Sequence, residues 1–130
     1  MISKKNKRIL SEEEEQKLVV KFCEKLNIPI KGSASGIFIK NNIGVVKKLK
    51  ALHIIEPKGE PDFFIPKVKR NKSGDIIYGG LFIEMKKIGG KPTLEQLERI
   101  NYYNHNGYLA RVVEGHENAI NLIQDYIKEK

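Results

Sequence analysis

Gly80-Leu81-Phe82-Ile83-Glu84-Met85-Lys86 is an apolar run of strand length that ends in two charges. Leu81-Phe82-Ile83 is continuously apolar, as expected for a strand covered on both faces. In an extended chain Glu84 and Lys86 share one face, while Met85 turns into packing on the other. Upstream, Phe63-Phe64-Ile65 reads as a short apolar strand extended through Val68, and Asn71-Lys72-Ser73-Gly74-Asp75 as a polar turn. Two such strands predict an antiparallel hairpin whose return runs from Ile76 to Glu84. Gly59 and Pro61 force an irregular approach to Asp62. That residue opens the first strand where Glu84 closes the second, so two acids distant in sequence meet at one end of the hairpin.

The flanking segments read as helices. Ser11 is an N-cap and Glu14 completes a capping box. Leu18, Val19, Phe22, Cys23 and Leu26 recur at helical spacing until the stop at Asn27 to Pro29. Glu12 and Glu15 lie two turns before Val19 and Phe22, so both can face the protein body, while Glu13 faces solvent. Ile30 to Asn42 suggests a strand and turn around Ile37-Phe38-Ile39. Gly44 to Ile55 fits a short helix through Val45, Val46, Leu49 and Leu52, or extended chain at His53-Ile54-Ile55. Downstream, Thr93 caps a helix with Gln96 as its box partner, and Leu94, Leu97, Ile100 and Tyr103 give that helix an apolar side. Gly107 stops it. Tyr108 to Val113 predicts another strand, and Glu117 to Ile127 a last helix with Ala119, Ile120, Ile123 and Ile127 buried. The order helix, strands, helix, strand, helix implies an α/β domain with a small mixed sheet flanked by helices.

Composition bounds the function. A chain of 130 residues supports one domain. We expect a basic N-terminal leader over residues 1–10 and a single domain over 11–130. A hydrophobic share of 40% excludes a wholly disordered chain. Lys and Arg number 24 against 16 Asp and Glu, a formal charge of +8. That excess favours nucleic acid, although an anionic membrane would be attracted too. No apolar run approaches the ~20 residues that span a bilayer, and the leader lacks the apolar stretch of a secretory signal. Cys23 is the only cysteine, so an internal disulfide and a thiolate zinc site are both excluded. An intracellular protein without a membrane segment is expected.

Carboxylates at adjacent strand ends repel unless a cation joins them, and carboxylate oxygens are natural ligands of Mg2+ or Mn2+. The expected centre is Asp62 and Glu84, the backbone carbonyl of Met85, and an acid from the first helix, Glu12 or alternatively Glu15, which would complete the coordination shell or hold a metal-bound water. A divalent ion there would polarise a phosphodiester and make water easier to deprotonate. Lys86 would orient that water or stabilise transition-state charge. Glu-x-Lys and Pro-Asp are each common by chance, so the joint placement around one hairpin carries the reading.

Gly59-Glu60-Pro61-Asp62-Phe63, then Gly80 to Lys86, then Gln96, together resemble the VRR-NUC branch of the PD-(D/E)xK nucleases. Gly107-Tyr108-Leu109-Ala110-Arg111-Val112-Val113 and the terminal helix resemble that family as well, most closely from Gly59 to Val113 and more loosely from Ile30 to Glu56. The resemblance implies a restriction-endonuclease-like fold, with Asp62 and Glu84 as metal ligands and Lys86 as the catalytic lysine. It also implies that Gln96 approaches the metal. Capping its own helix is the competing role, and one side-chain conformation cannot fill both. By its spacing to Gln16 and Leu26, the first-helix glutamate resembles Glu12, with Glu15 still open. Similar stand-alone members occur in phages and bacteria. The implied activity is therefore a metal-dependent DNA endonuclease in the cytoplasm of a bacterial or phage-infected cell, a homodimer cutting branched DNA such as four-way junctions. A flap or nonspecific nuclease and a noncatalytic nucleic-acid-binding module are the alternatives.

Other polar residues carry less. His53, His105 and His116 lack metal-ligand spacing, and His116 reads as a turn residue before the last helix. Gly32-Ser33-Ala34-Ser35-Gly36 lacks the lysine of a phosphate-binding P-loop. Tyr102 and Tyr103 read as helix packing, and Cys23 as core.

Overall fold

The computed structural model describes residues 8–32 and 58–128. The readings placed on residues 33–57, His53 among them, and on the first seven residues lie outside this range. Helix α1 spans Glu12–Lys25 and starts as its capping box requires: Ser11 Oγ accepts from the Glu14 N–H, and Glu14 Oε1 accepts from the Ser11 N–H at 2.9 Å. Arg8 forks onto the Glu14 carboxylate at 2.9 and 2.8 Å and holds it down to about 2, well below the usual range. Its packed stripe differs from the expected one. Glu15, Gln16, Val19 and Cys23 are buried, whereas Leu18 and Leu26 are 36% and 53% exposed. The helix is rotated because two polar residues, Glu15 and Gln16, find tertiary partners inside.

Four strands form the main sheet, β1 (Lys31–Gly32), β2 (Phe63–Ile65), β5 (Leu81–Lys86) and β6 (Leu109–Glu114), in the order β1-β2-β5-β6. Strands β2 and β5 pair antiparallel with Phe63 opposite Ile83, as the hairpin reading requires. The hairpin does not run straight, however. Its outer part, β3 (Lys69–Arg70) and β4 (Ile76–Tyr78), forms a separate two-stranded sheet with a register shift at Lys69/Arg70. Pro66 offers no backbone donor to continue β2, and Gly79-Gly80 lets the return strand bend. Strand β6 pairs parallel with β5, from Leu81 opposite Leu109 to Lys86 opposite Glu114. A parallel pair needs a crossover, here helix α2 (Leu94–His105). The sheet is therefore mixed.

Helices α1 and α3 (Gly115–Ile127) supply Val19, Cys23, Ala119, Ile123 and Tyr126 to the core, against Phe63, Ile65, Leu81, Ile83, Met85 and Val113 of the sheet. Burial pushes the Cys23 thiol up to about 11, as expected of a packing residue. On the alternate strand positions Phe64 and Phe82 meet α2, where Tyr103 stacks on Phe82 at 3.7 Å. Helix α2 buries Ile100, but Leu94 and Leu97 of its expected apolar side are 70% and 42% exposed. Asn104 of α2 brackets the edge strand, donating to the Ala110 carbonyl and accepting from its N–H, which protects β6 from further pairing. Helix α3 starts at Gly115, earlier than the expected Glu117, and its N-cap Glu114 makes no side-chain cap. The missing cap comes from α1: Glu15 Oε1 accepts from the His116 N–H at 2.8 Å and bonds its ring Nδ1.

Candidate metal centre

Asp62 completes a ladder. Backbone pairing of β2 and β5 begins at Phe63 opposite Ile83, and one residue earlier Asp62 Oδ2 accepts from the Met85 N–H at 2.8 Å. The carboxylate thus stands where the next strand acceptor would be, with its other oxygen free of that bond. The Gln16 amide of α1 is a second hydrogen-bond neighbour of Asp62. Glu84 is on β5, only 1% exposed, and neither of its carboxylate oxygens has a hydrogen-bond partner. Lys86 Nζ lies 3.6 Å from Glu84 Oε2 and 3.9 Å from Glu12 Oε2, an attraction without a hydrogen bond to Glu84.

The first turn of α1 brings Glu12 to the same place. One oxygen each from Glu12, Asp62 and Glu84 lies within 4.8 Å of the others. Glu15 does not join them, because its carboxylate is engaged at the start of α3. The helical register thus divides two nearby glutamates between a charged cluster and a cap. Gln96 stands apart in this conformation: its Oε1 accepts from the Thr93 N–H at 2.9 Å, so the side chain caps α2. Met85 gives its N–H to Asp62 and its side chain to the core, and its carbonyl is the backbone oxygen next to that bond.

Electrostatics sharpen the picture. Burial is the main force raising Glu84, to about 8, and the Asp62 charge adds to it against the pull of Lys86. Asp62 is raised to about 6, again chiefly by burial, while the Met85 N–H opposes the rise. Buried polar atoms are almost always satisfied, so a carboxylate with two orphaned oxygens calls for a partner. Three hard oxygen donors could hold a divalent cation, and the unpartnered Glu84 oxygens are the feature that calls for one.

The loop delivering Asp62 is clamped from α2, which the sequence did not suggest. Glu60 accepts from the Tyr103 hydroxyl, and its Oε1 is 3.6 Å from Arg99 Nε. Gly59 has φ +88°, and a Cβ there would sit 2.5 Å from the Glu95 carbonyl oxygen, so only glycine fits. Supporting residues of this kind change metal affinity or activity about 10- to 100-fold. Glu60→Ala should therefore weaken Mn2+ affinity by about tenfold or more, read as a smaller Mn2+-induced rise in melting temperature. Unchanged cation affinity in that variant would restrict Glu60 to a stability role.

His105 Nδ1 meets the Asn101 carbonyl of its own helix and takes no part in the cluster. His116, read as a turn residue, is the helix residue that bonds Glu15.

A solved structure described as "VRR_NUC domain protein" is similar to this chain, with 27% sequence identity over 95% of each chain and a TM-score of 0.69. No family model matches the sequence, and no curated protein matches it. The likeness supports placement alongside VRR-NUC domains at the family level and a restriction-endonuclease-like α/β fold, with the small mixed sheet flanked by helices. The clustered acids Glu12, Asp62 and Glu84 are the part of this chain that could hold a metal ion. Among the described residues no helix is long and apolar enough to cross a membrane.

Proposed function

We propose that this chain is a divalent-metal-dependent DNA endonuclease that selects branched DNA, four-way junctions in particular, and works as a homodimer. The buried Glu84 carboxylate, lacking any hydrogen-bond partner, carries the reading. Glu12, Asp62 and Glu84 would hold Mg2+ or Mn2+, with the Met85 carbonyl as a further donor. When bound, the ion supplies positive charge against the scissile phosphate and eases deprotonation of water. Asp62 is oriented for this by the Met85 N–H and Gln16. Lys86, 8% exposed and held beside two of the acids, would donate to a phosphate oxygen as negative charge develops. Gln96 joins the site only by leaving its capping bond, which substrate binding would have to offset.

A two-fold dimer would present one site to each of two strands at a junction. The net charge of +8 suits such a polyanion. Cleavage of labelled linear, flap and four-way DNA of matched sequence, in Mg2+, Mn2+ or EDTA, tests the proposal. We expect paired, symmetric cuts near the branch point with either metal and none in EDTA. Equal rates on all three substrates would reduce the activity to nonspecific cutting. Binding without cleavage under every condition would leave a noncatalytic nucleic-acid module.

A further inference from the structure

The outer hairpin is tied to the far end of α3 by side-chain hydrogen bonds in both directions. Lys69 Nζ donates to the carbonyls of Tyr126, Asp125 and Lys128 at 2.9, 3.3 and 3.3 Å, capping the helix C-terminus with a cation. In return the Tyr126 hydroxyl donates to the Lys67 carbonyl at 2.6 Å, and the Lys69 ammonium lies 5.6 Å from the Tyr126 ring centre. Two strands of two and three residues would not hold a shape alone, so this reciprocal staple fixes them. Arg70 donates to the Gly74 carbonyl, and Asn71 Oδ1 accepts from the Ser73 and Asp75 N–H groups, which sets the turn.

The result is a concave cationic surface. A cleft of about 370 Å3 is lined by Lys67, Lys69, Arg70, Lys72 and Lys128, among others. Elsewhere several cations are neutralised internally: Arg8 by Glu14, Lys17 by Glu13, Lys58 by Glu95 and Arg99 by Glu60. Among the described residues no carboxylate pairs with Lys67, Arg70, Lys72 or Lys128. Asp75 and Asp125 are near them in sequence and form no ion pair with them. Unpaired cations on a preorganised backbone cost self-repulsion and suit an anionic partner whose charges repeat.

Its placement suggests which partner. The acid cluster draws on Glu12 in the first turn of α1, whose neighbour Glu15 caps the start of α3, whereas the cleft surrounds the end of α3. Helix α3 has 13 residues, so the end capped by Glu15, beside Glu12 of the acid cluster, and the end that borders the cleft stand about 20 Å apart. That span matches about six base pairs at ~3.4 Å of rise per step. We propose that the β3–β4 hairpin and the C-terminal end of α3 form a second nucleic-acid site, gripping the phosphate backbone of a duplex arm about six base pairs from the acid cluster. This deepens the nuclease reading and rests on it for the identity of the anion.

The test uses the full chain in EDTA, so that binding is read without cleavage. Fluorescence anisotropy with a 20-base-pair duplex compares wild type, K67A/K72A/K128A and a charge-matched control, K21A/K25A/K31A. Each lysine that contacts a phosphate adds ~0.9 to the slope of log affinity against log salt. The hairpin variant should therefore lose about two to three from that slope and bind at least tenfold more weakly at low salt, with a much smaller loss in the control. Equal losses in the two triple variants would overturn the proposal, since bulk charge would then explain binding. So would unchanged DNA binding together with loss of sedimentation on phosphatidylserine vesicles. Cleavage assays on Asp62→Ala judge the nuclease reading separately, so failure of one does not conceal failure of the other.

Discussion

Glu84→Gln should abolish metal-dependent cleavage while making the metal-free protein more stable at high pH. Removing a ligand from a three-carboxylate centre should cost at least about 10^3-fold in rate, or ~4 kcal/mol of transition-state stabilisation. The stability effect has the opposite sign because Glu84 is 1% exposed and neither oxygen has a hydrogen-bond partner. Above its raised pKa an ionised Glu84 must face Asp62 across a buried space, and a neutral amide removes that repulsion. In EDTA at pH 8.5 the variant should gain about 1–2 kcal/mol, or roughly 4–8 °C in Tm for a chain of this size. At pH 4 the gain should nearly vanish, since Glu84 is then protonated in the folded and the unfolded chain alike. Thermal unfolding at the two pH values, with a cleavage assay on the same samples, checks both halves. A structural role for Glu84 would instead give a destabilised variant with activity lost only in proportion to folding.

The second large effect is the response of stability to pH and metal. Asp62 and Glu84 have folded-state values of about 6 and about 8, above their ordinary 3.8 and 4.5. A raised carboxylate binds its proton more tightly in the folded state, so its stabilising contribution is complete below the unfolded value. It is lost as pH rises through the folded one. The metal-free protein should therefore lose stability between about pH 5 and 8.5. The loss should be on the order of a few kcal/mol, because each tenfold difference in proton affinity between folded and unfolded chain is worth ~1.4 kcal/mol. Glu14 works in the other direction, below pH 4.5, and does not mask this window. A divalent ion competes with these protons, so its stabilisation should grow with pH across the same range. Melting curves in EDTA and in Mn2+ from pH 5 to 8.5 should diverge steadily. Parallel curves would mean that the ion does not bind at the pair that titrates.

The features legible in the sequence are local ones. Ser11 with Glu14 and Thr93 with Gln96 announce helix starts within four residues, and both boxes are present. Asp62 and Glu84 meet because a hairpin is also a local device: two apolar strands and a polar turn suffice to set their register. The parts that escape are set by partners remote in sequence. Four consecutive glutamates contain no contrast that fixes a helical register, so the division of labour between Glu12 and Glu15 depends on His116, 101 residues away. Burial of Gln16 in place of Leu18 follows from Asp62, which the α1 periodicity cannot see. The clamp of Glu60 by Tyr103 and Arg99 joins two segments whose own patterns suggest only a turn and a helix. Pro66 breaks a strand by its own chemistry, but the separate outer sheet that follows it also needs the staple between Lys69 and α3.

The most direct measurement is a Mn2+-soaked crystal with an anomalous difference map collected at the manganese edge. The account predicts a peak within coordination distance of Glu12, Asp62 and Glu84, lost in crystals of Glu84→Gln. A map with no peak among those three carboxylates at saturating Mn2+, or with its strongest peak elsewhere on the protein, would contradict it.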